Sequence, residues 1–161
     1  MRICFVCLGN ICRSPMAEFI LKNKLLKLNL SKEIYVTSRA TSYEEEGNDI
    51  YPKAKQKLIE MNIPIKKHRA TRLEKTDYTL YDYFICMEQS NINNALRIFG
   101  TDPNKKLIRL LDLTNMPKDI ADPWHTGDFD MTYKEIEIGI NEFIKQYLKK
   151  WASACFFASS K

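Results

Sequence analysis

A chain of 161 residues is long enough to bury one core, and its 45% hydrophobic content is that of an ordinary globular protein. No apolar run has the length of a membrane span, and the first one is too short for a signal peptide; five cysteines, an odd count, then fit free thiols in a reducing compartment, so a cytoplasmic address is expected. The formal charge of +5 suits anionic substrates or simply a solvated surface, and the basic run Lys66-Lys67-His68-Arg69 is too short and too poor in aromatics to predict a nucleic-acid partner.

Strand and helix signals alternate along the chain, without repeats or low-complexity linkers. Arg2-Ile3-Cys4-Phe5-Val6 has the length of a buried strand. Ser14-Pro15 predicts a helix start, with Ser at the N-cap and Pro at the first helical position, where its missing donor would be orphaned anyway. From Met16 to Leu28, Phe19, Ile20 and Leu26 recur at helical spacing with lysines between them. Residues 33–38 read as a second strand and 41–51, with Glu44, Glu45, Glu46 and Gly47, as a polar loop. Pro52 opens a helix to about Met61. Residues 83–87 form a third strand, and Ser90 starts a helix that ends near Gly100. A fourth strand covers 107–111, and 129–150 is a long amphipathic helix. The alternation predicts an α/β fold, a single-domain three-layer sandwich with a central parallel four-stranded sheet and helices on both faces. Ligands of such sheets bind at the carboxyl ends of the strands, where the chain after Val6 lies.

That segment carries the chemistry. In Cys7-Leu8-Gly9-Asn10-Ile11-Cys12-Arg13-Ser14 a strand ends, the chain curls and a helix begins. Successive amides in such a curl, from Leu8 through Ser14, point inward as an anion-binding nest, and the helix dipole adds partial positive charge. Gly9 relieves the sterics of the curl, and Asn10 tolerates left-handed angles. Amides, dipole and a nearby Arg all favour the thiolate of Cys7. Arg13 offers a planar fork for two oxygens of a phosphoryl group, and Ser14 can donate to the sulfur as nucleophile and as leaving group. The expected chemistry is a cysteinyl-phosphate intermediate with neither metal nor cofactor.

The run from Val6 to Glu18 closely resembles the low-molecular-weight protein tyrosine phosphatases, and Asp122-Pro123-Trp124 falls where that family has an Asp-Pro-aromatic motif. The resemblance extends to about Lys150, so residues 1–150 are expected to form the phosphatase domain and 151–161 a tail of unassigned role. It implies hydrolysis of phosphotyrosine proteins or other aryl phosphates, with inhibition by phosphate and other oxyanions. It also implies that Asp122 acts as general acid and then as general base. Proline biases its predecessor towards extended angles, so Asp122 sits on a stiff loop, although Asp-Pro alone is a common turn dipeptide. By the same resemblance Tyr43 and Trp124 wall the substrate cleft; by itself Tyr43 reads equally well as a surface residue of a polar loop. Ser38 and His68 match positions that pin Asn10. The chain departs from the family pattern at His125, where relatives often have a second tyrosine, and at Arg39, which replaces a glycine.

Other readings compete with this one. Cys4-Phe5-Val6-Cys7 has the redox spacing, yet Cys4 belongs to the presumed strand. Cys4, Cys7 and Cys12 lack a second close pair to complete a zinc site. Cys12 shares the loop with Cys7 and could trap its oxidised form as a disulfide, or simply pack beneath it. Cys86 reads as a core thiol and Cys155 as part of the tail. An arsenate reductase would need a relay of further cysteines. A protein arginine phosphatase tends to carry Thr where this chain has Ile11, and a binding module would need neither Cys7 nor Asp122.

Overall fold

The computed structural model describes residues 1–149. Its centre is a parallel sheet in the order β2-β1-β3-β4, with β1 Arg2–Cys7, β2 Tyr35–Ala40, β3 Tyr83–Cys86 and β4 Leu107–Arg109. The first strand therefore lies inside the sheet, and its side chains are buried from Ile3 onward on both faces. On one face Ile3, Phe5 and Cys7 join a core with helices α1 (Arg13–Lys27), α2 (Pro52–Glu60) and α5 (Phe129–Phe143). On the other, Cys4 and Val6 pack with Phe84, Ala95 and Phe99 beneath α3 (Gln89–Phe99). This is the three-layer α/β sandwich expected. The period-two alternation of a strand also sends Cys4 and Cys7 to opposite faces, which removes the redox reading of their spacing.

The chain runs from β1 to β2 on one side and reaches β3 on the other, so the carboxyl end of β1 borders a topological switch point, where open α/β sheets bind ligands. Helix α1 leaves that point by entering the core, and its residues from Arg13 to Leu21 are all buried. Its lysines are confined to the later turns.

Several boundaries differ from those predicted. Helix α1 begins at Arg13 with Cys12 at the N-cap and no side-chain cap. The Ser14 hydroxyl is engaged with Cys7 and Asn10 instead. Helix α3 likewise starts before Ser90, because Glu88 caps it through a reciprocal bond with Asn91. Strand β4 is short, since Leu110–Leu113 tightens into a 3-10 turn. There α5 packs so closely that a Cβ on Gly139 would lie 2.4 Å from the Leu110 side chain. After Phe143 the last helix widens into a π-helical turn, Ile144–Leu148. A 3-10 turn at Lys75–Thr79 and the short helix α4, Pro123–Thr126, had no clear periodic signal. The tail, including Cys155, lies outside the described residues.

Candidate active site

A cavity of about 260 Å³ at the end of β1 is lined by Cys7 through Arg13 and by Asp122, Trp124, Glu44, Glu45 and His125. The curl is made by Asn10, which holds the left-handed φ of 60°. Gly9 contributes room instead of an unusual angle, for a Cβ there would come 3.3 Å from the Glu45 side chain. The cost of a left-handed asparagine is offset by its bonds. Its Nδ2 donates to Ser14 Oγ at 2.8 Å and to Ser38 Oγ at 2.9 Å, while its Oδ1 accepts from the Thr71 amide at 3.1 Å. His68 Nε2 donates to the Asn10 carbonyl at 2.7 Å. Ser38 in turn donates to Glu18 Oε1 at 2.6 Å. Ser38 and His68 are thus both brought to Asn10.

Cys7 Sγ is almost wholly buried, accepts the Asn10 amide at 3.3 Å and lies 2.9 Å from Ser14 Oγ. Arg13, 2% exposed, donates to the Ile120 carbonyl at 2.7 Å and pairs with Glu88 at 3.2 Å and with Asp122 at 3.7 Å. Burial works against its charge, but the Cys7 sulfur and the two carboxylates outweigh it and hold the guanidinium above its ordinary range. Cys12 is pushed up to about 12, chiefly by burial and then by the Cys7 sulfur and Asp122. Asp122 caps α4, with Oδ1 accepting the Trp124 amide at 3.0 Å, and His125 Nε2 lies 4.0 Å from its Oδ2. Trp124 leans on Tyr51 with ring centroids 4.8 Å apart.

Tyr43 does not line the cavity. Its ring lies under the Arg72 guanidinium at 4.4 Å, and its hydroxyl sits between Arg72 and Glu74. Glu44 and Glu45 line the cavity on behalf of that loop. Sequence reasoning also missed Glu88, which reaches Arg13 from the end of β3, and Glu18, which reaches Ser38 from α1. Glu18 closes the run that starts at Val6 and Glu88 forms a capping box with Asn91, but neither signal says which buried group the carboxylate reaches. Among the described residues no group of three or more His, Cys, Asp or Glu is arranged to hold a metal ion.

Residues 2–153 match the family model of the low molecular weight phosphotyrosine protein phosphatases. The chain belongs to that family. It is 38% identical to the low molecular weight protein-tyrosine-phosphatase PtpA of Staphylococcus saprophyticus over 150 residues, covering 91% of this chain and 94% of that protein. Among solved structures it is similar to the low molecular weight protein tyrosine phosphatase SP-PTP of Streptococcus pyogenes, with 31% identity, a TM-score of 0.83 and coverage of 94% and 97% of the two chains. It is also similar to YfkJ of Bacillus subtilis, with 30% identity, a TM-score of 0.89 and coverage of 93% and 96%. Enzymes of the family are cysteine-based and metal-independent. No helix among the described residues is long and apolar enough to cross a membrane.

Proposed function

We propose that this phosphatase hydrolyses phosphotyrosine in proteins, and other aryl phosphates, through a phosphorylated Cys7. The observation that carries the reading is the cavity lined by Cys7, Arg13 and Asp122, in which the Arg13 guanidinium lies 3.7 Å from the Asp122 carboxylate and the Cys7 sulfur accepts the Asn10 amide. In the first step Cys7 Sγ attacks phosphorus, the S–P bond forms and the bond to the phenolic oxygen breaks. Asp122 gives its proton to that oxygen. In the second step water attacks phosphorus, Asp122 takes the water's proton, the S–P bond breaks and inorganic phosphate leaves. Arg13 and the amides of Leu8 through Ser14 bind the equatorial oxygens in both steps. Ser14 donates to the sulfur whenever it carries charge.

Glu88 and the Ile120 carbonyl fix the guanidinium, so its fork is oriented before substrate arrives. Trp124 offers its face to the substrate ring. Free phosphate and similar oxyanions occupy the same nest and inhibit. The test is turnover of an aryl phosphate in a chelator by the wild type, Cys7→Ser and Asp122→Ala. Wild-type turnover without metal, none in Cys7→Ser and slow turnover in Asp122→Ala are expected. A Cys7→Ser protein that still turns over would overturn the covalent route.

A further inference from the structure

A second cavity, of about 480 Å³, lies between α1 and β2 and shares no lining residue with the first. Much of its lining is apolar, from Phe19, Leu25, Leu26, Ile34 and Val36. Its charged side chains are all cationic, namely Lys22, Lys32 and Lys66. Lys32 and Lys66 have no carboxylate partner among the described residues. Three cations beside an apolar wall suit a ligand with one anionic head and an apolar body.

Lys22 is placed differently from the other two. It donates to Glu18 Oε2 at 2.6 Å, and Glu18 Oε1 holds the Ser38 hydroxyl at 2.6 Å. Ser38 holds Asn10, whose amide donates to the Cys7 sulfur. Phe19, from the same lining, stands edge-on to His68 at 6.5 Å, and His68 holds the Asn10 carbonyl. Two lining residues therefore connect to the supports of Asn10, Lys22 through Glu18 to Ser38 and Phe19 directly against His68.

We propose that this cavity binds a free amphipathic carboxylate of the medium-chain fatty-acid class, and that its occupancy slows the phosphatase. The head is held by Lys22, Lys32 and Lys66 and the chain lies on the apolar lining. A carboxylate on Lys22 draws the ammonium from Glu18. The largely buried Glu18 then has one donor fewer, its hold on Ser38 changes, and Asn10 is less firmly set. The slowing rests on the proposed function, whereas the binding does not.

The test uses the 161-residue chain and sodium decanoate below its micelle-forming concentration. Calorimetry is run with saturating inorganic phosphate, and turnover is read on p-nitrophenyl phosphate. One site per chain is expected, about tenfold or more weaker in Lys32→Ala/Lys66→Ala and for uncharged decanol. Leu26→Glu, at a position 60% exposed and so tolerant of the change, is expected to block binding by the same margin. Decanoate is expected to lower kcat several-fold without competing with substrate. Binding that is equal in these variants, equal for decanol or lost when phosphate is added overturns the site. Tighter binding of a Glu-rich peptide assigns the cavity to a protein partner and overturns it too. Binding with kcat unchanged overturns the link to Asn10. Absence of turnover in the unliganded wild type instead sinks the phosphatase reading and leaves the binding result standing.

Discussion

Between Cys7 and Ser14 the chain is held from several sides, whereas between Asp122 and Thr126 it is held mainly at its start. Asn10 alone bonds to Ser14 of α1, Ser38 of β2, and His68 and Thr71 of the loop that follows α2. Asp122 has its cap bond to Trp124 and a long contact with Arg13, and Trp124 is 54% exposed. The difference matches the two tasks proposed for these segments. An attacking sulfur must be aligned with a phosphorus already bound, so its surroundings are fixed before binding. The proton donor proposed here must reach an oxygen whose position depends on the substrate, and Asp122 meets that need with fewer side-chain bonds than Asn10.

Removing the fixed side should therefore cost most. Cys7→Ser is expected to lower kcat by more than about 10⁴-fold, as loss of a nucleophile does elsewhere, while inorganic phosphate still binds in calorimetry. Loss of phosphate binding together with turnover would mean that the nest, too, depends on the sulfur. Asp122→Ala should cost about 10²–10⁴ in kcat, with the larger loss for substrates whose leaving phenol is least acidic. An equal loss for good and poor leaving groups would remove Asp122 from the proton-transfer role.

The support of the fixed side comes next in size. Asn10→Ala gives up three side-chain bonds and must hold a left-handed angle, and it is expected to lose roughly 1–3 kcal/mol of stability along with about tenfold in kcat. Asn10→Gly keeps the angle and loses the bonds, so a thermal melt and a rate on both variants separate the two contributions. If Gly restores full activity, the angle is what the loop needs and the partners are incidental.

Oxidation tests the same loop from within. Peroxide converts the Cys7 sulfur to a sulfenic acid, and attack by the Cys12 thiolate would form the disulfide and release hydroxide. Because burial pushes Cys12 up to about 12, it stays a thiol through the neutral range. The closing rate should then rise about tenfold per pH unit from pH 7 towards its titration, since only the thiolate attacks. Mass spectrometry of quenched digests reads the Cys7–Cys12 peptide against time. A rate flat in pH would mean that Cys12 ionises far more readily in the oxidised protein, and no linked peptide would end the idea of a protective disulfide.

The fixed side was also the more legible in sequence. Strand, nest, nucleophile and helix start lie within a few consecutive residues, so local geometry and the contiguous motif point to the same reading. What escaped was whatever the tertiary fold delivers. Glu88 and Glu18 stand in a capping box and at the end of the motif, but only the tertiary packing brings their carboxylates to Arg13 and Ser38. Ser14 looked like a cap because capping is the usual use of a serine before a helix. Its hydroxyl is engaged instead by Asn10 and by the Cys7 sulfur, and the second of these bonds is one that the loop sequence also predicts. Strand β4 likewise ends before Leu110, which turns into the 3-10 segment and packs against α5 where Gly139 leaves room.

The adjustable rim should respond least, and unevenly. Trp124 lines the cavity, so Trp124→Ala removes an aromatic face from the substrate ring and is expected to raise KM several-fold, in line with the roughly 0.5–1.5 kcal/mol of a ring pair, with little change in kcat. Tyr43 is exposed and its ring is covered by Arg72, so Tyr43→Ala should leave KM within about twofold. Both constants are measured on phosphotyrosine itself, which has no flanking residues to confuse the comparison. A large rise in KM for Tyr43→Ala would mean that substrate draws Tyr43 out from under Arg72 to close the cleft. The segment from Tyr43 to Glu46 would then be as adjustable as the one that carries Asp122, and only the nucleophile loop would stand ready before the substrate arrives.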